Sequence, residues 1–273
     1  VSGFGQTGPY AQRPAYDVII QAMGGIASIT GEPNGAPVRV GSSVGDLSAA
    51  LFAVIGIQAA LGRVRESGEG QQVDISMLDC QVALLENAVS RYAVTGEVPR
   101  PLGSRHPSIT PFQFFEAADG YLVVAAGNDG LWAKFCDSIG LRELVDDSRF
   151  SSNALRTENH AELEPLLAGP LKMKKVEEWC ELLGNAGIPC GPINDVERIF
   201  DDPQVAARGM LREMTHPRAG SQVVANSPLQ FSLDKVELGE PAPLLGQHTD
   251  EVLGGLLGVA AEERERLRGE GVI

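Results

Sequence analysis

The chain has 273 residues, an apolar share of 43% and a formal net charge of −14. That charge argues against nucleic acid or an anionic membrane as the main partner, and no unbroken apolar run reaches the ~18 residues of a membrane span. Four cysteines (Cys80, Cys136, Cys180, Cys190) and four histidines (His106, His160, His216, His248) are scattered without ligand spacing, so neither a disulfide framework nor a metal site is expected.

The first residues, Val1-Ser2-Gly3-Phe4-Gly5, hold no signal-peptide core and no initiator Met. The expectation is a cytoplasmic protein and a processed or partial chain. Residues 1–14 are rich in Gly and Pro and read as a loop. Within it, Gly3-x-Gly5-x-x-Gly8 has dinucleotide-fingerprint spacing, but Pro9 and Pro14 stand where the phosphate-binding helix should begin.

From Asp17 the pattern predicts a helix that ends at Gly24-Gly25, then a turn-rich loop over 31–37 and a short extended run, Val38-Arg39-Val40. Residues 47–65 are mostly Ala, Leu and Ile and predict a buried helix, stopped by Ser67-Gly68. A strand over 72–76 and a helix over 77–95 follow. Five residues, Pro99, Pro101, Gly103, Pro107 and Pro111, mark a linker over 99–111 that separates residues 1–98 from a smaller α+β domain, 112–190. That domain opens with a hairpin, 112–116 and 121–125, and continues with helices over 131–139, 153–167 and 175–186. A linker-like turn lies at 187–192. In residues 191–273, strands are expected over 211–215 and 222–225, and helices over 249–257 and 261–268. Charge is uneven: up to Thr110 there are 7 basic and 9 acidic residues, against 15 and 27 in the rest. An anionic small molecule would meet less repulsion in the first part.

Gly41-Ser42-Ser43-Val44-Gly45-Asp46 offers two chemistries. Gly41-x-Ser43-x-Gly45 has the spacing of a serine-hydrolase elbow, with His216 or His248 as base and Asp195, Asp201 or Asp234 as acid. Against this esterase reading, the predicted helix starts three residues after Ser43 and no H-G-G-type oxyanion segment is present. Asp46 needs less help. A carboxylate of ordinary pKa near ~4 is ionised at neutral pH and attacks without a base, and glycine-turn N–H groups, Gly45 among them, stabilise the resulting oxyanion. The structural alternative is that Asp46 simply caps the helix, worth about 1 kcal/mol. In the small domain, Asn128 and Asp129 are site candidates, set against a turn and helix cap.

Several motifs in order resemble class III CoA-transferases of the CaiB/BaiF type: Val1–Tyr10, Tyr16–Gly25, Val44-Gly45-Asp46, Gly68–Met77, Gly187–Pro192 and Pro243–Leu253. The resemblance spans essentially the whole chain. It implies an α/β fold, with a partial Rossmann-like large domain, a smaller α+β domain, and residues 191–273 returning to the large one. It implies Asp46 as nucleophile, passing through a mixed anhydride and an aspartyl-CoA thioester, and Pro14, Ala15, Tyr16 and Asp17 as CoA contacts; Arg13 beside them is a candidate phosphate or substrate contact by position. Acyl-CoA and a carboxylic acid are the implied substrates, with no permanently bound cofactor, no metal, and an interlaced homodimer.

Two departures from the family qualify these expectations. More than a hundred residues that usually precede this region are not in the chain. Leu51, Phe52 and Ile55 are therefore expected to need a further segment or partner chain to bury them, and an inactive truncated remnant is an alternative. The related 2-methylacyl-CoA racemases carry His-Asp where Tyr16-Asp17 stands here. Tyr, with a pKa of about 10, is a poor base at neutral pH, which favours the transferase over the racemase.

Overall fold

A computed structural model of the chain describes residues 1–234, 236 and 239–273. Two units separate within it, Val1–Ile193 and Asn194–Ile273.

The first unit opens with a loop and then helices α1 (Asp17–Met23), α2 (Ile26–Ile29), α3 (Val44–Ser67), α4 (Met77–Leu84) and α5 (Glu86–Thr95). α3 starts at Val44, three residues earlier than predicted, with Ser43 in the N-cap position. Asp46 therefore lies in the first turn of the helix and not ahead of it. Gly68 ends α3 in the left-handed conformation, φ 75°, its N–H bonded to Val64 O at 2.8 Å.

The expectation that α3 is buried fails. Only Gly45, Ser48 and Ala49 are buried, while Leu51 and Ile55 are 67% and 63% exposed. The helix is apolar around most of its circumference, and the described residues cover one narrow strip of it. As a helix it is also long and apolar enough to cross a membrane. That corrects the reading of the sequence, where interspersed Gly, Ser and Gln break the apolar run without lowering the overall hydropathy much. Two glycines mark where α3 is held. A Cβ on Gly45 would lie 3.1 Å from Asp17 Oδ1 and 3.2 Å from Ile20 Cγ2, and one on Gly56 would lie 2.9 Å from Val73 Cγ1. Both positions are close approaches that a larger residue would crowd.

The strand predicted over 72–76 does not form. What remains is one parallel bridge between Ser2 and Ser76, with Ser2 N donating to Ile75 O and Met77 N to Ser2 O, both at 2.9 Å. Alternation makes a segment suited to a sheet, but a strand needs a neighbour to pair with. The helix predicted over 77–95 breaks at Leu85 into α4 and α5. Ile20, Ala49, Met77 and Cys80 form the small core of this region, with Phe4, Ala15, Ile75 and Leu78 packed on it.

From residue 112 the unit builds an antiparallel sheet backed by helices. β1 (Phe112–Glu116) and β2 (Tyr121–Ala125) pair in register, Phe112 opposite Ala125 and Glu116 opposite Tyr121. The alternating pattern puts Gln113, Phe115, Leu122 and Val124 on the buried face. Then come α6 (Asp129–Ile139), α7 (Asn153–Glu158), α8 (His160–Leu171) and α9 (Val176–Asn185). β3 (Cys190–Pro192), in the segment expected to be a turn, pairs antiparallel with β2 as a third strand. Trp132, Phe135, Phe150, Leu163, Leu167, Leu171, Trp179 and Leu183 form the core.

The second unit contains α10 (Val196–Asp201), α11 (Pro203–Ala207), the hairpin β4 (Leu211–His216) and β5 (Gly220–Ala225), a π-helical turn over Glu251–Leu256, and α12 (Ala261–Gly269). None of its described residues is buried.

Candidate active site

The geometry around Asp46 is built by α1. Asp17 is 8% exposed, and a buried carboxylate must have its oxygens bonded. Oδ1 accepts from Gly45 N at 2.9 Å and Oδ2 from Gln21 Nε2 at 2.8 Å, while the Arg39 guanidinium stands 3.9 Å from Oδ2. Gln21, fully buried one turn along α1, accepts from Val40 N at 2.8 Å and donates to Ser42 O at 3.3 Å. Asp17 and Gln21 therefore tie down both the loop that enters α3 and its first turn. Among the residues named from sequence, Asp17 is a positioning group in this arrangement, with both oxygens engaged within the chain. Gln21 and Arg39 were missed, although the i, i+4 spacing of Asp17 and Gln21 is a readable sign of a pair on one helix face.

Asp46 itself is exposed, and among the described residues no hydrogen bond or ion pair engages its carboxylate. Among the described residues its backbone N–H, a first-turn donor, is also unbonded, and such donors favour negative charge nearby. The Gly45 N–H expected to serve an oxyanion is instead occupied by Asp17, which corrects that assignment.

The remaining candidates occupy different settings. The Tyr16 ring is 80% exposed and its carbonyl accepts from Ile19 N and Ile20 N. Ala15 packs on the small core, and Pro14 is exposed. The Arg13 guanidinium lies over the Tyr10 ring at 4.0 Å, and Tyr10 meets Phe4 edge-on at 5.5 Å. Asn128 caps α6, accepting from Leu131 N at 2.9 Å, and Asp129 pairs with the buried Arg156 at 2.8 Å. Both side chains are thus engaged within the sheet-containing part of the unit.

Ser43 sits directly at the start of α3, closer to the elbow position than predicted. No strand leads into it, however, and its hydroxyl makes no capping bond. All four histidines hydrogen-bond elsewhere: His106 to Ser108 N, His160 to Gln113, His216 to Arg218 N and Ala219 N, and His248 to Glu251.

Comparison with known proteins gives a consistent picture. A family model described as CoA-transferase family III matches residues 1–249. The chain is 38% identical over 257 residues to a succinate–glutarate CoA-transferase of Agrobacterium fabrum, covering 94% of this chain and 64% of that protein. It is 38% identical to the succinyl-CoA:glutarate CoA-transferase of Homo sapiens (94% and 59% covered), and 40% identical to the acetyl-CoA:oxalate CoA-transferase of Acetobacter aceti (85% and 58%). The chain thus spans less than two thirds of the length of these curated relatives. Among solved structures, a CaiB/BaiF family protein from Brucella suis superposes with a TM-score of 0.79 at 38% identity, covering 93% of this chain and 66% of that one.

Proposed function

The chain belongs to CoA-transferase family III, and on that premise we propose that it moves CoA between carboxylic acids with Asp46 as the covalent nucleophile. The observation that carries this reading is the exposed, uncommitted carboxylate of Asp46 in a helical turn fixed by Asp17. Short dicarboxylic acids are the proposed acceptor class, because relatives bear the names of glutarate, oxalate and mesaconate CoA-transferases.

The reaction balances without an external proton or electron. The Asp46 carboxylate attacks the acyl-CoA carbonyl, the C–S bond breaks, and a mixed anhydride and CoA thiolate result. The thiolate then attacks the aspartyl carbonyl, releasing the donor acid as carboxylate and leaving an aspartyl-CoA thioester. An acceptor carboxylate attacks that thioester, again expelling the thiolate, which takes the acceptor acyl group from the second anhydride and restores Asp46. Asp17 contributes by holding Gly45, and with it the α3 start, in place while bonds at Asp46 change.

Asp46→Asn is the direct test, made in the full chain with succinyl-CoA and glutarate. Asn suits the first turn of a helix without offering a nucleophilic oxygen, so unfolding should be unchanged while CoA transfer disappears. Hydroxylamine added during turnover should trap a hydroxamate at position 46 of the unsubstituted protein. Normal turnover by the Asn variant would refute the assignment.

A further inference from the structure

A recess of about 250 Å³ lies between the end of α4, the start of α5 and the linker segment 99–107. Arg91, Arg100, Arg105 and His106 line it, and Glu86 is its one acidic residue. This is an unusual concentration of positive charge in a chain of net charge −14. Of the 17 arginines, eight (39, 63, 142, 149, 156, 264, 266 and 268) are ion-paired, and Arg91, Arg100 and Arg105 are among the nine with no carboxylate within 4.0 Å among the described residues. Arg105 also borders a second recess, lined by Gln113, His160 and Glu164. Its Nη2 donates to Thr157 O at 2.9 Å, and its buried Nε has no partner among the described residues. Burial pulls the Arg105 guanidinium below its ordinary range, opposed by the Glu164 carboxylate. Arginines without a carboxylate partner that line one recess favour an anion there.

We propose that this recess is an oxyanion-binding site, taking a carboxylate or phosphate group of a small molecule through Arg91 and Arg100, with Arg105 at its wall. The recess does not include Asp46. Helix α1 and its following turn lie between the two features: Ile20 packs by Gly45, and a Cβ on Gly25 would meet Leu85 at 2.9 Å. The inference stands apart from the transfer reading, because binding is measured without turnover.

Isothermal titration of the full chain with succinate, with inorganic phosphate and with CoA tests it, and comparing the three distinguishes a carboxylate ligand from the phosphates of a cofactor-like molecule. At least one of these should bind, and Arg91→Gln combined with Arg100→Gln should weaken it by roughly tenfold or more, since charge-assisted bonds are lost. The paired Lys substitutions should retain part of the affinity, and Glu86→Gln should tighten binding by relieving repulsion. Asp46→Asn should bind as the unsubstituted protein does, so lost transfer with retained binding separates the two ideas. Failure of all three anions to bind at millimolar concentration would overturn the proposal, as would unchanged affinity in the double Gln variant.

Discussion

Asp17 illustrates how a buried charge is tolerated when every oxygen has a donor. Its carboxylate links Gly45 N to Gln21 Nε2, so the backbone at the start of α3 and the side chain that holds the preceding loop share one group. Asp17→Ala leaves the Gly45 N–H without an acceptor and the Gln21 amide with only its 3.3 Å bond to Ser42 O, and an unsatisfied buried group costs about 1–3 kcal/mol. The expected outcome is a lowered urea midpoint together with a fall in CoA transfer larger than lost folded protein accounts for. Equal losses in folded protein and in transfer would assign Asp17 to stability alone. Sequence reasoning singled out Asp46 because a carboxylate after a glycine-rich loop and before an apolar helix has a visible chemistry. It took Asp17 for a ligand contact because an Asp near a motif looks the same whether it faces a substrate or a backbone N–H. Arg91 and Arg100 escaped notice for a related reason: an arginine without a partner is recognisable only once its neighbours in space are known.

Among the elements, the joint between β1, α6 and α7 depends on one buried cation. Arg156 is fully covered, donating to Thr110 O at 2.8 Å, Phe150 O at 3.0 Å and Asp129 Oδ1 at 2.8 Å, with its guanidinium 5.0 Å from the Trp132 ring centre. Arg156→Met preserves apolar volume but strands two carbonyls, at an expected cost of about 2–4 kcal/mol. Asp129→Asn should cost clearly less, because that side chain is exposed and water replaces the lost charge. Chemical denaturation of both variants checks the order. The hairpin was legible to the residue because its alternation, its Asp119-Gly120 turn and its partner strand all lie within fourteen residues. The segment 72–76 carries the same alternation without a local partner, and β3 hides its pairing behind Gly and Pro. The start of α3 was misplaced because Gly45 reads as a loop residue, while its close approach to Ile20 belongs to the tertiary fold.

For the molecule as a whole, one response to pH comes from His160, which joins α8 to the sheet. Its Nε2 meets Gln113 Oε1 at 2.5 Å, and Gln113 Nε2 donates to Glu164 at 3.1 Å. Burial, then the Arg105 charge, pulls the imidazole below its ordinary 6.5, with Glu164 opposing. A depressed folded value means that the unfolded chain binds the proton more readily, so this contribution to stability is complete above about pH 6.5 and is lost as pH falls through the lowered folded value. The urea midpoint of the first unit should therefore drop between pH 7.5 and 5.5, and His160→Gln should flatten that part of the profile. An equally steep profile in the variant would place the titrating group elsewhere. The uneven charge seen in the sequence takes spatial form in the arginine-lined recess, whereas the exposure of α3 was only partly foreseen, through Leu51, Phe52 and Ile55. That helix has a mechanical consequence. It is clamped at Gly45 and Gly56, leaving about 16 Å of rod beyond the second clamp at the helical rise of ~1.5 Å per residue. It is thus a cantilever with Asp46 at the fixed end. A load on the far overhang must bend the rod past two supports before it shifts Asp46, so whatever comes to rest against the exposed apolar surface can press there while the carboxylate stays in register.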